Sequence, residues 1–239
     1  GQAAVIATAG GAQAVVDCGS LQGGRRAARA LADSLAQRRV DLLVITHADT
    51  DHHNGLAALL QRVSARRAVL PASMAGSPAH ARIAAHVSDV TLLEAGSAFQ
   101  AGDVCVRAPR VPEGAGDNDR SLWVRASLPG ADVLLSGDAQ ELGVAAAIAQ
   151  GIAAPADVLL LPHHGRPNRN LPHLLAVVRP RACLASAAGA DGDTALGAVA
   201  RRFGAEVWST GRHGHLRFDG AAVHAAQAPA LLAPADRPR

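Results

Sequence analysis

The sequence predicts an α/β protein, an αββα four-layer sandwich in which two mixed β-sheets lie inside and helices cover them. Three observations predict it. Strand-like and helix-like segments come in the order strands, helices, strands, helices, twice over, which suits stacked sheets with helices outside. Of the 239 residues, 49% are hydrophobic, enough for a sizeable core. Several short apolar runs stop abruptly at clusters of His and Asp, as buried strands do when they reach one edge of a sheet and a site begins.

In chain order, Ala3 to Ala7 and Ala14 to Asp17 read as strands joined by a turn at Gly10-Gly11. Arg25 to Gln37 is an Ala- and Leu-rich helix. Leu42 to Ile45 is a strand, followed by a polar loop and a helix from Gly55 to Arg62. Ala68 to Leu70 is a strand stopped by Pro71, Ser77 to Val87 a helix, and Val90 to Leu93 a strand. The middle turns β-rich, with strands at Val104 to Ala108, Leu122 to Ser127 and Val133 to Ser136. A helix follows at Glu141 to Gln150, then a strand at Val158 to Leu161. Leu171 to Val178 and Thr194 to Phe203 read as helices; Ala182 to Ala185, Glu206 to Ser209 and His215 to Phe218 read as strands. Residues 1–225 form one domain. The Ala/Pro-rich stretch 226–239, ending Asp-Arg-Pro-Arg, reads as a frayed tail or linker. No repeat of fixed solenoid period is present.

Charge and cysteine usage bound the function only loosely. The net charge is +3 and every cation is Arg, which permits an anionic substrate without demanding one. Cys18, Cys105 and Cys183 are odd in number, widely spaced and set in apolar runs, so buried free thiols are expected, with neither a disulfide framework nor a cysteine zinc site. Trp123 and Trp208 sit in apolar strands and read as core, which leaves no aromatic platform for stacking bases. No apolar run reaches transmembrane length and no signal peptide is visible. The chain starts at Gly1 and reads as a piece of a longer protein.

The chemistry is concentrated in Thr46-His47-Ala48-Asp49-Thr50-Asp51-His52-His53-Asn54-Gly55, between a strand and a helix. Capping a helix needs one such polar residue, and this loop has six. Imidazoles and carboxylates crowded together repel and desolvate one another unless a cation sits among them, and a divalent metal meets that need. Two further clusters end strands: Gly137-Asp138 after Val133 to Ser136, and His163-His164-Gly165 after Val158 to Pro162. Taken alone, Asp138 could serve as a helix cap and the His pair as a turn. Strand ends on one edge converge in space, so the three clusters together point to one site.

The loop resembles the H-x-H-x-D-H signature of the metallo-β-lactamase fold, with Asp49 in place of the second His. Its form H-x-D-x-D-H, followed by Gly55-Leu56, is similar to that of the DNA-internalisation competence proteins of the ComEC type. So are Gly1-Gln2, Val15 to Gly19, Asn118 to Val124, Leu134 to Asp138, Leu161 to Gly165, and Trp208 to Thr210 with Gly214. The resemblance implies two divalent ions, Mn²⁺ or Zn²⁺ with Mg²⁺ as an alternative. His47 and Asp49 would hold the first ion, Asp51 and His52 the second, and Asp138 both. His164 would complete the second site, with His163 as the alternative. Two ions about 3.5–4 Å apart polarise a phosphoryl oxygen and generate hydroxide near neutral pH.

The sequence departs from the zinc hydrolases of the fold at Asp49, and again where a third His is expected and Asp117, Asn118 and Asp119 stand. Oxygen-richer ligands shift preference from Zn²⁺ toward Mn²⁺ or Mg²⁺. Asp117 and Asn118 are then candidates for contacts to the first metal or to substrate. Arg166-Pro167-Asn168 replaces the Ser expected after His-His-Gly, and Ala190-Asp191-Gly192-Asp193 replaces an Asn and a His-Pro pair. His53 replaces an apolar residue and is expected outside the ligand set.

The function implied is a metal-dependent phosphodiesterase acting on DNA, single-stranded or the strand being degraded. It would form the extracytoplasmic soluble domain of a bacterial inner-membrane uptake channel. Asp51 and Asp138 are its expected catalytic carboxylates. Arg120, Arg166 and Asn168 are expected phosphate contacts, with Arg107, Arg110 and Arg169 as further steering charges. The alternatives are a hydrolase of small esters, lactones or phosphoesters, and a DNA-binding or gating module with a weakened site.

Overall fold

The computed structural model describes residues 1–21, 23–187 and 194–226, with the side chains of 194–197 and 226 left aside. Strands β1 (Ala3–Ala7) and β2 (Gln13–Cys18) form an antiparallel hairpin. It turns at Gly11, whose φ of 81° is open to glycine and costly for other residues. Strands β3 (Arg39–Val44), β4 (Ser64–Pro71) and β5 (Asp89–Leu93) then add in parallel, giving a five-stranded mixed sheet of order β1-β2-β3-β4-β5.

The second sheet is also mixed. Strands β6 (Ala98–Ala101), β7 (Val104–Arg107), β8 (Trp123–Leu128) and β9 (Ala131–Leu135) meander antiparallel. Strands β10 (Val158–Leu160), β11 (Ala182–Ala185) and β12 (Glu206–Ser209) continue the sheet in parallel, in the order β12-β11-β10-β9-β8-β7-β6. A hairpin of β13 (His215–Phe218) and β14 (Val223–Ala226) stands apart from both sheets.

Successive side chains of a strand point to opposite faces, and here both faces are buried. Leu42 and Val44 of β3 enter the layer between the sheets, as do Val133 and Leu135 of β9. Leu43 and Ile45 face the layer under α1 (Gly24–Ser34), α3 (Leu56–Leu60) and α4 (Pro78–Ala84), while α2 (Thr50–His53) lies at the sheet edge. Trp123, Leu134 and Leu159 face the layer under α5 (Glu141–Ala149), α6 (Leu171–Val178) and α7 (Thr194–Arg202). The architecture is therefore αββα, as the order of segments predicts. The short α8 (Thr210–His213) follows β12.

Several boundaries differ from the sequence reading. Helix α1 stops at Ser34, whose hydroxyl donates back to the Ala30 carbonyl, and Leu35 turns in an extended conformation to bury its side chain. Helix α4 starts one residue late because Ser77 is its N-cap, accepting the His80 N–H at 3.1 Å. Strands β6 and β14 were not expected. Trp123 is core, whereas Trp208 is half-buried against the His213 ring. All three cysteines are free; Cys18 and Cys183 are buried, but Cys105 is only half-buried. Among the described residues no helix is long and apolar enough to cross a membrane. Of the expected tail 226–239, Ala226 instead closes β14, paired with His215, while residues 227–239 and the segment Ala190 to Asp193 lie outside the described residues.

Candidate metal centre

One edge of the sandwich collects the ends of β2, β3, β9 and β10, and the polar clusters meet there. The anchor is Asp17, fully buried at the end of β2, where it forms a bulge against Ala3 and Ala4 with a φ of 56°. Its Oδ1 accepts the Thr46 backbone N–H at 2.8 Å. Its Oδ2 accepts both the Thr46 hydroxyl and His52 Nδ1, each at 2.8 Å. Because the Thr46 hydroxyl is committed to Asp17, its oxygen accepts from His47 Nδ1 at 3.0 Å. One carboxylate thus sets the orientation of two imidazoles, one directly and one through a hydroxyl, and leaves both Nε2 atoms facing the same space.

The residues after β9 and β10 face them. Gly137 has a φ of 55°, and a Cβ there would lie 2.8 Å from that of Ser121. The tight turn brings the Asp138 N–H to Ser121 Oγ at 3.1 Å, while the Leu122 N–H bonds the Thr46 carbonyl across the sheets at 2.9 Å. Asp138 is only 3% exposed, with Oδ1 3.2 Å from His52 Nε2 and Oδ2 3.1 Å from His164 Nε2. It does not cap α5, whose N-cap is Gln140. His163 and His164 both have positive φ, 49° and 58°. Of the four described non-glycine residues with positive φ, three therefore belong to this edge, a concentration expected where local strain is held by a site.

The structure brings together His47, His52 and Asp138 in one group and Asp51, His52 and His164 in another, each with ligand atoms within 4.8 Å of one another. Asp51 Oδ2 lies 3.7 Å from His164 Nε2, and the Gly1 nitrogen is 3.0 Å from the same oxygen. Asp49, largely open to solvent, lies 3.6 Å from His47 Nε2. Asp49 leaves the N-terminus of α2 without a side-chain cap, so the loop's carboxylates face the cluster rather than the helix backbone.

Other residues singled out in the sequence stand apart from these groups. The His163 ring is 6.2 Å from that of His164, and His53 donates from Nε2 to the Ala48 carbonyl, 3.0 Å away. Asp117 is exposed and 3.8 Å from Arg120, and Asn118 opens a short 3-10 turn. Asn168 spends its oxygen on the Asn170 N–H, and Arg169 pairs with Glu141 at 2.6 Å. The Arg110 backbone N–H donates to Gln150 Oε1, and its carbonyl accepts from Gln150 Nε2. Arg107 is half-buried and Arg166, next to His164, is exposed.

The electrostatics show what the cluster lacks. Burial lowers the His47 pKa, and the neighbouring His52 lowers it further. Burial also opposes charge on His52, but Asp17 and Asp138 outweigh it and hold its pKa up to about 10. Burial opposes ionisation of Asp138, yet the His164 and His52 imidazoles beside it hold its carboxyl well below the usual range. Four of the seven buried polar atoms that lack a hydrogen-bond partner among the described residues are His47 Nε2, His52 Nε2, Asp138 Oδ1 and His164 Nδ1. Such atoms are costly to bury unless something pairs them. Imidazole nitrogen and carboxylate oxygen orphaned side by side are a donor set that fits a divalent cation.

The sequence pattern of the metallo-β-lactamase superfamily matches residues 1–182. The chain belongs to the metallo-β-lactamase superfamily. A relative, ComE operon protein 3 of Bacillus subtilis (strain 168), is 28% identical over 156 residues, 63% of this chain. The chain matches only 20% of that protein's length. The solved structure of a CmlA β-hydroxylase mutant has a TM-score of 0.61 and 15% identity, covering 87% of this chain and 50% of that one. YhfI of Bacillus subtilis, a metallo-β-lactamase-fold protein, has a TM-score of 0.58 and 12% identity, covering 87% of each chain. Tm1679, a metal-dependent hydrolase of the β-lactamase superfamily, has a TM-score of 0.52 and 12% identity, covering 82% of this chain and 85% of that one. These likenesses show the fold. Within it, this superfamily member carries the clustered His and Asp side chains that metal-dependent hydrolysis requires.

Asp17 was missing from the expected site residues. Its signal is a carboxylate closing the apolar run Val15-Val16, where a charge is buried only with partners.

Proposed function

We propose that this domain is a metal-dependent phosphodiesterase acting on DNA, the hydrolytic part of a competence-linked uptake protein. The observation that carries it is the carboxylate content of the cluster. Asp49, Asp51 and Asp138 stand among His47, His52 and His164, which favours ions that prefer oxygen, Mn²⁺ ahead of Zn²⁺. Either group, His47–His52–Asp138 or Asp51–His52–His164, would hold an ion. Asp138, with one oxygen toward His52 and the other toward His164, is placed to bridge two. When bound, a pair of divalent ions supplies Lewis-acid polarisation of a phosphoryl oxygen and neutralises developing charge. The chain's own residues do the rest. Asp17 and Thr46 hold His47 and His52 in the ligating tautomer. Asp51, partly open to solvent, accepts a proton at Oδ2 from the attacking water. Arg166 and Arg120 steer the DNA backbone from the rim.

The identity with ComE operon protein 3 supports the competence assignment. In this proposal the domain belongs to a longer inner-membrane channel protein and works on its extracytoplasmic side. The test is incubation of the purified protein with single- and double-stranded DNA in Mn²⁺, Mg²⁺ or Zn²⁺. Metal-dependent cleavage is expected. Turnover of a small ester, lactone or phosphoester with DNA left intact would replace this reading. DNA binding without metal or cleavage would make the domain a gating module.

A further inference from the structure

Gln2 is 2% exposed, and its Nε2 has no hydrogen-bond partner among the described residues. Its place in the fold is defined on both sides. The Gln2 carbonyl accepts the Gly19 N–H at 3.1 Å, at the end of β2. The preceding carbonyl, of Gly1, accepts the Ser186 hydroxyl at 2.8 Å, just beyond β11 in the other sheet. The Gly1-Gln2 segment therefore ties the two sheets together at the edge that carries the metal centre. The approach is close, since a Cβ on Gly1 would lie 2.2 Å from the Asp51 carbonyl oxygen. Gln2 lies one residue before β1 and the β-bulge at this end lies in β2, so the alternation of β1 carried back one residue sets Gln2 on the face of Ala4 and Ile6, which pack in the inter-sheet core. Its carboxamide thus enters the gap between the sheets at the end occupied by the cluster. The buried carboxylate of β2 is already engaged: both Asp17 oxygens are taken by Thr46 and His52.

A buried amide N–H₂ without an acceptor waits for one. It is neutral, so it neither repels a cation at the centre nor competes with the ligands for it. We propose that Gln2 donates from Nε2 to a non-bridging oxygen of the phosphoryl group held at the metal centre, making it a substrate-binding residue. This inference rests on the phosphodiesterase reading and names the group of the substrate that the floor of the site recognises.

The experiment compares the metal-loaded parent with Gln2→Met and Gln2→Glu, the second of nearly identical shape. Calorimetry measures the affinity for inorganic phosphate, elemental analysis the metal content, and kinetics the KM and kcat on a phosphodiester. Loss of one hydrogen bond to a charged group predicts phosphate binding weakened roughly ten- to hundred-fold in Gln2→Met, with KM raised in step. Gln2→Glu is weaker still because its carboxylate repels the anion, while metal content and Tm stay at the parent's level in Gln2→Met. Parent-like phosphate affinity and KM in Gln2→Met, in a protein that cleaves phosphodiesters, would overturn the inference and leave the phosphodiesterase reading standing. Lost metal or lowered Tm with unchanged phosphate affinity would assign Gln2 to structure alone. A parent that neither binds phosphate nor cleaves phosphodiesters would remove the phosphodiesterase reading and this inference together.

Discussion

Asp17 carries a burden out of proportion to its place in the sequence. Two oxygens hold a backbone N–H, a hydroxyl and an imidazole, from residues 29 and 35 positions away. Replacing it with Asn would present an N–H₂ to one of these donors and release the tautomers of His47 and His52. Metal affinity is expected to fall about 10- to 100-fold, the usual effect of losing a partner that orients a ligating His; competition with a chelating dye measures it. Asp138→Ala is expected to empty the centre and abolish turnover, because His52 and His164 lose the carboxylate between them. Asp51→Ala should abolish turnover while the far-ultraviolet circular dichroism stays that of the parent; retained activity in either variant would refute these roles. The loop from His47 to Asn54 was legible in the sequence because its ligand types are consecutive. Asp17 was not recognised as part of the site because its partners are distant and only the fold brings them near. Asp117 and Asn118 occupy the position of a missing His in the sequence, but their turn uses Asp117 near Arg120 at the surface.

At the scale of elements, the site depends on how closely backbones approach. A Cβ on Gly19 would lie 2.0 Å from the Asp51 carbonyl oxygen, and one on Gly55 2.0 Å from that of Cys18. These are backbone atoms, so the loop itself must move. Gly19→Ala is expected to lower stability by about 1–3 kcal/mol, as overpacking does, and to weaken metal binding because α2 carries Asp51 and His52; denaturant midpoints and metal titration check both. The strands that build the two sheets were legible because Leu42 to Ile45, Val133 to Leu135 and Val158 to Leu161 are apolar on both faces. Strands β6 and β14 leave no strand pattern in the sequence because Ala98 to Ala101 and Val223 to Ala226 are short, Ala-rich and defined by pairing partners. The end of α1 was misplaced because Ser34 and Leu35 are unremarkable helix residues until burial of Leu35 turns the chain.

For the whole molecule, the cluster couples stability to pH and to metal. His52 has its pKa raised from the ordinary 6.5 to about 10, so its charged form stabilises the metal-free fold. That contribution is complete below pH 6.5 and is lost as pH rises toward 10, so the urea midpoint of chelator-treated protein should fall across that range. A bound cation takes the place of that proton, and the metal-loaded protein should lose this part of the pH dependence. The layered architecture was legible from the order and polarity of segments, and the resemblance of the motifs led to the superfamily. The substrate follows from neither, since one scaffold serves many reactions. The most direct test is DNA cleavage by chelator-stripped protein titrated with Mn²⁺. The domain should be inert without metal and regain backbone cleavage that saturates near two ions per chain. Saturation of the centre with DNA left uncut, or equal cleavage by the stripped protein, would contradict it.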